Sequence, residues 1–181
     1  MTQILLGAGS SRVKKLALMG SPKWDGLVTV DFNADHKPDF IHDLNVFPYP
    51  FEDNSAEEIH AYEVVEHLGQ QGDFKSFFAF WSEIWRILKP GGVFLGTSPN
   101  HDSAWAWGDP GHTRIISREC MTFLSQPNYG QVGRTPMTDY RFCYLADFDL
   151  VHSAVSPSRQ YEYGLRAVKP SRVEAKECQH L

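Results

Sequence analysis

A chain of 181 residues, 42% hydrophobic and 22% charged with 14 Gly and 11 Pro, has the composition of a folded globular protein and not of a disordered, collagenous or disulfide-scaffold one. Three Cys without a CxxC pair point to a reduced, cytoplasmic setting, and no apolar run reaches the roughly 18 residues of a membrane span or forms a leader. The net charge of −5 falls on the first half, where residues 1–85 hold 6 Lys/Arg against 13 Asp/Glu. That balance opposes nucleic-acid binding through phosphates.

The first apolar run, Ile4-Leu5-Leu6, ends at Gly7-Ala8-Gly9-Ser10-Ser11 and reads as a buried strand entering a tight glycine turn. Ser10 or Ser11 offers an N-cap for a helix over Arg12–Met19 that Gly20 would close. Leu27 to Val30 forms a second strand ending at Asp31, Asp39 to His42 a third, and Glu58 to Tyr62 a fourth. Asp73 then caps the strongest helix in the chain. Phe74, Phe77, Phe78, Trp81, Ile84, Trp85 and Leu88 recur at helical spacing on one face, which must lie on the sheet. Lys89-Pro90-Gly91-Gly92 stops that helix, and Val93 to Thr97 is the fifth strand.

Beyond Ser98 the alternation ends. Asn100 to Thr113 reads as a loop rich in Trp, Gly, Pro and His, followed by a short helix near Ser117 to Leu124. Phe148–Val155 and Tyr161–Val168 are joined by a turn too short for a parallel crossover, so they pair antiparallel. The expected architecture is α/β: a Rossmann-like, doubly wound, mostly parallel sheet with an antiparallel C-terminal hairpin. One domain covers 1–169, with 100–145 as an insertion and 170–181 as a flexible tail.

Ligands of such sheets sit at the carboxyl ends of the strands. Three features fall there in order. The Gly7-Ala8-Gly9 turn allows close backbone approach, Asp31 ends strand two with a carboxylate fit for two ribose hydroxyls, and Asp43-Leu44 follows strand three. Each carboxylate could equally serve as a turn cap. A metal site is not expected: His36, Asp39, His42 and Asp43 look ligand-rich, but His42 and Asp43 point to opposite faces of a strand end.

The series Ile4-Leu5-Leu6-Gly7-Ala8-Gly9, Val28-Thr29-Val30-Asp31, His42-Asp43-Leu44, Pro50-Phe51-Glu52-Asp53-Asn54-Ser55, Glu66-His67-Leu68 and Leu88-Lys89-Pro90-Gly91-Gly92 resembles class I S-adenosylmethionine-dependent methyltransferases over residues 4–98. The resemblance implies a seven-stranded sheet with an inserted antiparallel strand. It implies S-adenosylmethionine as cofactor, with Gly7, Ala8 and Gly9 along its methionine part, Asp31 on the ribose and Phe32 beside the adenine. Asp43 and Leu44 would bracket the adenine edge, and Glu63, Val64 and His67 the sulfonium. Leu5 stands where the family usually has an acidic residue and Ser11 where it has a third glycine.

For methyl transfer the chain mainly aligns the reactants, with removal of a proton added where the acceptor is a hydroxyl or amine. His67, His112 and Asp109 are the candidates for that proton, with His101 beside them, and Trp105 and Trp107 could cover a cationic sulfonium or stack an acceptor. The acceptor implied is a small molecule or a protein or glycan end group, with a second copy of the chain as a possible source of a lid. The competing readings are a non-catalytic cofactor-binding subunit of the same fold and a nicotinamide-dependent oxidoreductase. Arg12 where the latter needs glycine argues against it.

Overall fold

The computed structural model describes residues 2–18 and 21–173. Seven strands form one sheet: β1 (Gln3–Leu6), β2 (Leu27–Asp31), β3 (Phe40–Ile41), β4 (Ala56–Tyr62), β5 (Leu88–Pro99), β6 (Phe148–Val155) and β7 (Gln160–Ala167). Their spatial order is β3-β2-β1-β4-β5-β7-β6. β1 to β5 pair in parallel, and β7 runs antiparallel to both β5 and β6. This is the Rossmann-like sheet with its C-terminal hairpin that the alternation of elements implies.

One sheet face is covered by α1 (Phe74–Ile87). The Asp73 carboxylate accepts from the backbone N–H groups of Lys75 and Ser76, satisfying two of the donors a helix start leaves unpaired. Phe78, Phe80, Trp81, Ile84 and Ile87 are buried on the sheet, while Phe74, Phe77 and Trp85 are partly buried. Trp81 is the centre of the core, with its ring edge-on to Phe80, Phe94 and Phe148 at centroid distances of 4.9, 5.0 and 6.0 Å. Glu83, on the same helix, accepts from the Tyr49 backbone N–H and from Arg86, docking the 48–53 segment against the helix.

The helix passes into β5 without a loop. β5 starts at Leu88, five residues before the start the sequence suggests, and Lys89-Pro90-Gly91-Gly92 lies inside it. The register jumps from Ala56↔Leu88 to Glu58↔Val93, so the extra residues bulge. Gly91, at φ +77°, turns the bulge.

The other face differs from expectation. Residues 12–17 form no helix, and Met19 and Gly20 lie outside the described residues. The segment lies over the sheet as an irregular strap. The reason is the polar surface beneath it. Lys14, whose side chain is 2% exposed, pairs with Glu58 at 2.6 Å and donates to Gln3. The Lys15 and Leu16 backbone N–H groups donate to the Tyr62 hydroxyl. A helix would consume those N–H groups internally, whereas a non-helical strap offers them to the sheet. The Trp24 ring closes the strap edge-on over His60 at 4.8 Å.

α2 (Ala104–Gly108) occupies part of the stretch expected to be loop, and α3 (Arg118–Met121) with the following 3-10 turn (Thr122–Leu124) matches the expected short helix. Of the expected tail, residues 174–181 lie outside the described residues. Arg172 forks onto the buried Asp147 carboxylate.

Two predictions follow from this packing. Trp81→Ala should cost about 3–5 kcal/mol in urea unfolding, and Trp81→Phe distinctly less, because the indole N–H is buried without a partner. The second concerns His60, which is fully buried between Glu58 (2.9 Å) and Tyr62 (2.7 Å). Burial lowers its pKa from the ordinary 6.5, outweighing the Glu58 contact. The unfolded chain then binds a proton that the folded chain resists, so stability is lost as pH falls below 6.5, above the carboxylate range near pH 4. Denaturation midpoints at pH 7 and about pH 5 should differ less in His60→Gln than in the parent.

Candidate functional site

The strand order places the switch point between β1 and β4, the position where open α/β sheets bind ligands. The turn after β1 leaves through Gly7 at φ +57°, and a Cβ there would stand 2.4 Å from Val64 Cγ2 in the turn after β4. Glu63, at φ +59°, bends the chain so that Val64 meets that glycine. Between the two turns opens a cleft of about 540 Å³.

Gly7, Asp31, Phe32, Asp43, Leu44, Glu63, Val64 and His67 all line it. Ala8 and Gly9, expected there too, do not. Ala8 is buried with its N–H on Val30, and Gly9 acts indirectly, its N–H donating to Asp31 Oδ2 at 2.7 Å. Asp31 Oδ1 accepts from Asn33 N–H at 2.8 Å, and His36 stands 3.4 Å away. Burial raises the Asp31 pKa, but the Asn33 and Gly9 hydrogen bonds with His36 prevail and hold it below the usual carboxylate value. Each oxygen keeps one lone pair for a ligand. Phe32 is 78% exposed, an unpacked ring at the cleft edge.

Three lining residues escape the sequence reading: His36, Asn45 and Leu68. His36 sits in a 3-10 turn (Ala34–His36) capped by Asn33, and Asn45 follows the Asp43 turn. An Asx residue opening each turn is the signal that could have found them.

The far wall is built from the segment after β5. Thr113 and Arg114 backbone N–H groups both donate to the Glu66 carbonyl, at 2.9 and 3.1 Å. The Arg114 guanidinium donates to the carbonyls of Leu68, Gln70 and Asp73. These bonds clip the 109–114 loop beside the 3-10 turn Val65–His67 and bring His67 and His112 ring to ring, at 4.6 Å and edge-on. Asp109 Oδ2 lies 3.9 Å from His112 Nε2. His101 is not part of this group. Its carbonyl accepts from the Trp107 indole. Trp105 and Trp107 are 71% and 72% exposed, and Trp105 lines a smaller pocket of about 150 Å³ that shares Glu63 with the main cleft.

Comparison with known proteins agrees with this geometry. Residues 23–96 match a family model described as a methyltransferase domain, from just before β2 to within β5. A probable S-adenosylmethionine-dependent methyltransferase of Mycolicibacterium smegmatis is 34% identical over 112 residues, 60% of this chain and 41% of that one. Two solved structures superpose on most of the chain. Phosphoethanolamine N-methyltransferase 1 of Haemonchus contortus, in complex with phosphoethanolamine and S-adenosylhomocysteine, gives a TM-score of 0.58 at 14% identity, covering 92% of this chain and 39% of that one. An S-adenosylmethionine-dependent methyltransferase of Archaeoglobus fulgidus gives 0.53 at 14% identity, covering 91% and 85%.

The fold is that of the S-adenosylmethionine-dependent methyltransferases. The chain spans about two fifths of the length of the curated relative it matches. Among the described residues no helix is long and apolar enough to cross a membrane.

The two turn glycines should separate in mutation. Gly9→Ala meets nothing within 4 Å and carries only the left-handed backbone penalty, about 1–2 kcal/mol. Gly7→Ala adds a clash with Val64, roughly 1–3 kcal/mol more, read from denaturant midpoints.

Proposed function

We propose that the chain is a methyltransferase domain that binds S-adenosylmethionine in the cleft between the β1 and β4 turns. The observation that carries this reading is the cleft's charge. Asp31, Asp43 and Glu63 line it, and among the described residues the basic side chains that line it are His36 and His67. Such a wall suits a ligand bearing a sulfonium and an ammonium group. The cradle at Gly7 and the spare lone pairs of Asp31 fit the same molecule, with its backbone-proximal part at Gly7 and its ribose hydroxyls on Asp31. Phe32, with Asp43 and Leu44, would hold the adenine, and Glu63, Val64 and His67 would flank the sulfonium.

The bound cofactor supplies a methyl carbon already activated for in-line displacement. What remains for the chain is alignment and proton removal. Residues 100–145 would hold the acceptor, a small molecule or an exposed protein or glycan end group, with Trp105 beside Glu63 as an aromatic wall. His67 and His112 would receive the acceptor's proton, a reading supported by their ring contact and by Asp109 beside His112. A cytoplasmic setting accords with the free thiols of Cys120 and Cys143.

Isothermal calorimetry with S-adenosylhomocysteine tests this reading without an acceptor. Binding should weaken at least 10-fold, about 1.4 kcal/mol, in Asp31→Ala. It should persist in His42→Ala, whose ring bonds the Val46 carbonyl outside the cleft. No heat of binding at millimolar ligand would overturn the assignment.

A further inference from the structure

Glu66 is a buried ionisable group next to the cleft residue His67. It is 2% exposed. One carboxylate oxygen, Oε2, accepts from the Ser98 hydroxyl at 2.8 Å, while Oε1 is buried without any partner. An unpaired buried carboxylate oxygen is costly, since water is lost and nothing replaces it.

The two imidazoles beside it are oriented by their backbones. His67 Nδ1 lies 2.9 Å from the Gly111 carbonyl, and His112 Nδ1 lies 2.9 Å from the Trp105 carbonyl. A carbonyl only accepts, so both Nδ1 atoms carry the proton and both Nε2 atoms present a lone pair. Glu66, His67 and His112 each offer a ligand atom within 4.8 Å of the other two. With Glu66 ionised and both imidazoles neutral, the cluster offers three acceptors and no donor. Imidazoles whose other nitrogen is bound to a carbonyl are the form in which histidine ligates metals.

We propose that Glu66, His67 and His112 bind a divalent transition-metal ion, of the zinc, cobalt or manganese type. Two imidazoles and one carboxylate favour such ions over magnesium or calcium, which take oxygen sets. Ligands bound at about 2.1 Å in tetrahedral array stand about 3.4 Å apart, so the side chains must close in from separations of up to 4.8 Å, the exposed His67 moving furthest. The 109–114 loop clipped to the Glu66 carbonyl is what makes the site, because it carries His112 across 45 residues of sequence to meet His67. Burial, with the Glu63 and Asp109 charges, pushes the Glu66 pKa up to about 8. A cation there would relieve the same crowding of negative charge. These are residues distinct from the His36–Asp43 run that the sequence singles out and rejects.

Three protein ligands leave a coordination position open, the arrangement of reactive rather than purely structural metal sites. His67 also lines the main cleft. On the methyl-transfer reading, the ion would then take over activation of the acceptor, and the two histidines would be ligands instead of proton acceptors.

The test is titration of the full chain, dialysed against a chelator, with Co²⁺, read by its visible absorption, followed by displacement with Zn²⁺ in a calorimeter. The expected result is one Co²⁺ per chain, with affinity falling roughly 10-fold or more in His112→Ala and in Glu66→Gln, and unchanged in His42→Ala. His112 lies in a loop, so its variant should keep the parent's melting curve even where Glu66→Gln does not. No cobalt spectrum at millimolar metal, or a spectrum unaltered in His112→Ala, would overturn the site. Neither measurement uses cofactor or acceptor, so failure here leaves the S-adenosylhomocysteine titration to stand or fall by itself.

Discussion

Gly7 against Val64 is the contact on which the site depends. β1 and β4 are sheet neighbours, and after their last residues the chain must leave in two directions. With glycine at φ +57° on one side and Glu63 at φ +59° on the other, the two turns touch at their bases and part above. The cleft is the space between them. A side chain at position 7 would fill the point from which they separate. Asp31 then fixes the first turn from beside it, since its carboxylate binds Gly9 and Asn33 together.

The rest of the sheet supports this arrangement in two unlike ways. On one face α1 and its aromatic cluster bury apolar area, the dominant source of stability. On the other, Gln3, Glu58, His60 and Tyr62 face an irregular strap, and the interface is a polar network satisfied by Lys14 and two backbone N–H groups, with the Trp24 ring edge-on over His60. Such a network is specific because each member has few alternative partners. It also leads the chain away from the glycine turn along one path. Arg12 donates to the carbonyls of Gly9 and His36, linking that turn to the cleft's far residues.

The far wall of the cleft is a construction of the loops. The backbone carbonyl of Glu66 receives Thr113 and Arg114, and the Arg114 side chain ties the same loop to the turn before α1. His67 and His112 meet through backbone hydrogen bonds, not through any attraction between their rings. The same clip leaves Glu66 enclosed, with one oxygen paired to Ser98 and the other bare.

Much of this was legible in the residues. α1 could be read because six large side chains, Phe74, Phe77, Phe78, Trp81, Ile84 and Trp85, repeat at 3.6 spacing behind an Asp cap, while the seventh, Leu88, already belongs to β5. β1 and β2 are short runs of apolar or β-branched residues ended by Gly or Asp, β4 follows the Asp53-Asn54-Ser55 turn cluster, and the hairpin followed from a turn too short to cross the sheet. The positions of Gly7, Asp31, Asp43 and Val64 at strand ends were thereby determined, since parallel strands deliver their C-terminal residues to one edge. Residues 12–17 misled because helix propensity is weak, and whether their N–H groups bond internally or to Tyr62 depends on a strand 46 or 47 positions away. Whether Lys89 to Gly92 ends a helix or bulges a strand is likewise settled by β4. The convergence of Glu66, His67 and His112 is of the same kind. Local pattern can place each residue on its turn, but only the hydrogen bonds between distant loops decide that the three side chains come within reach of one another.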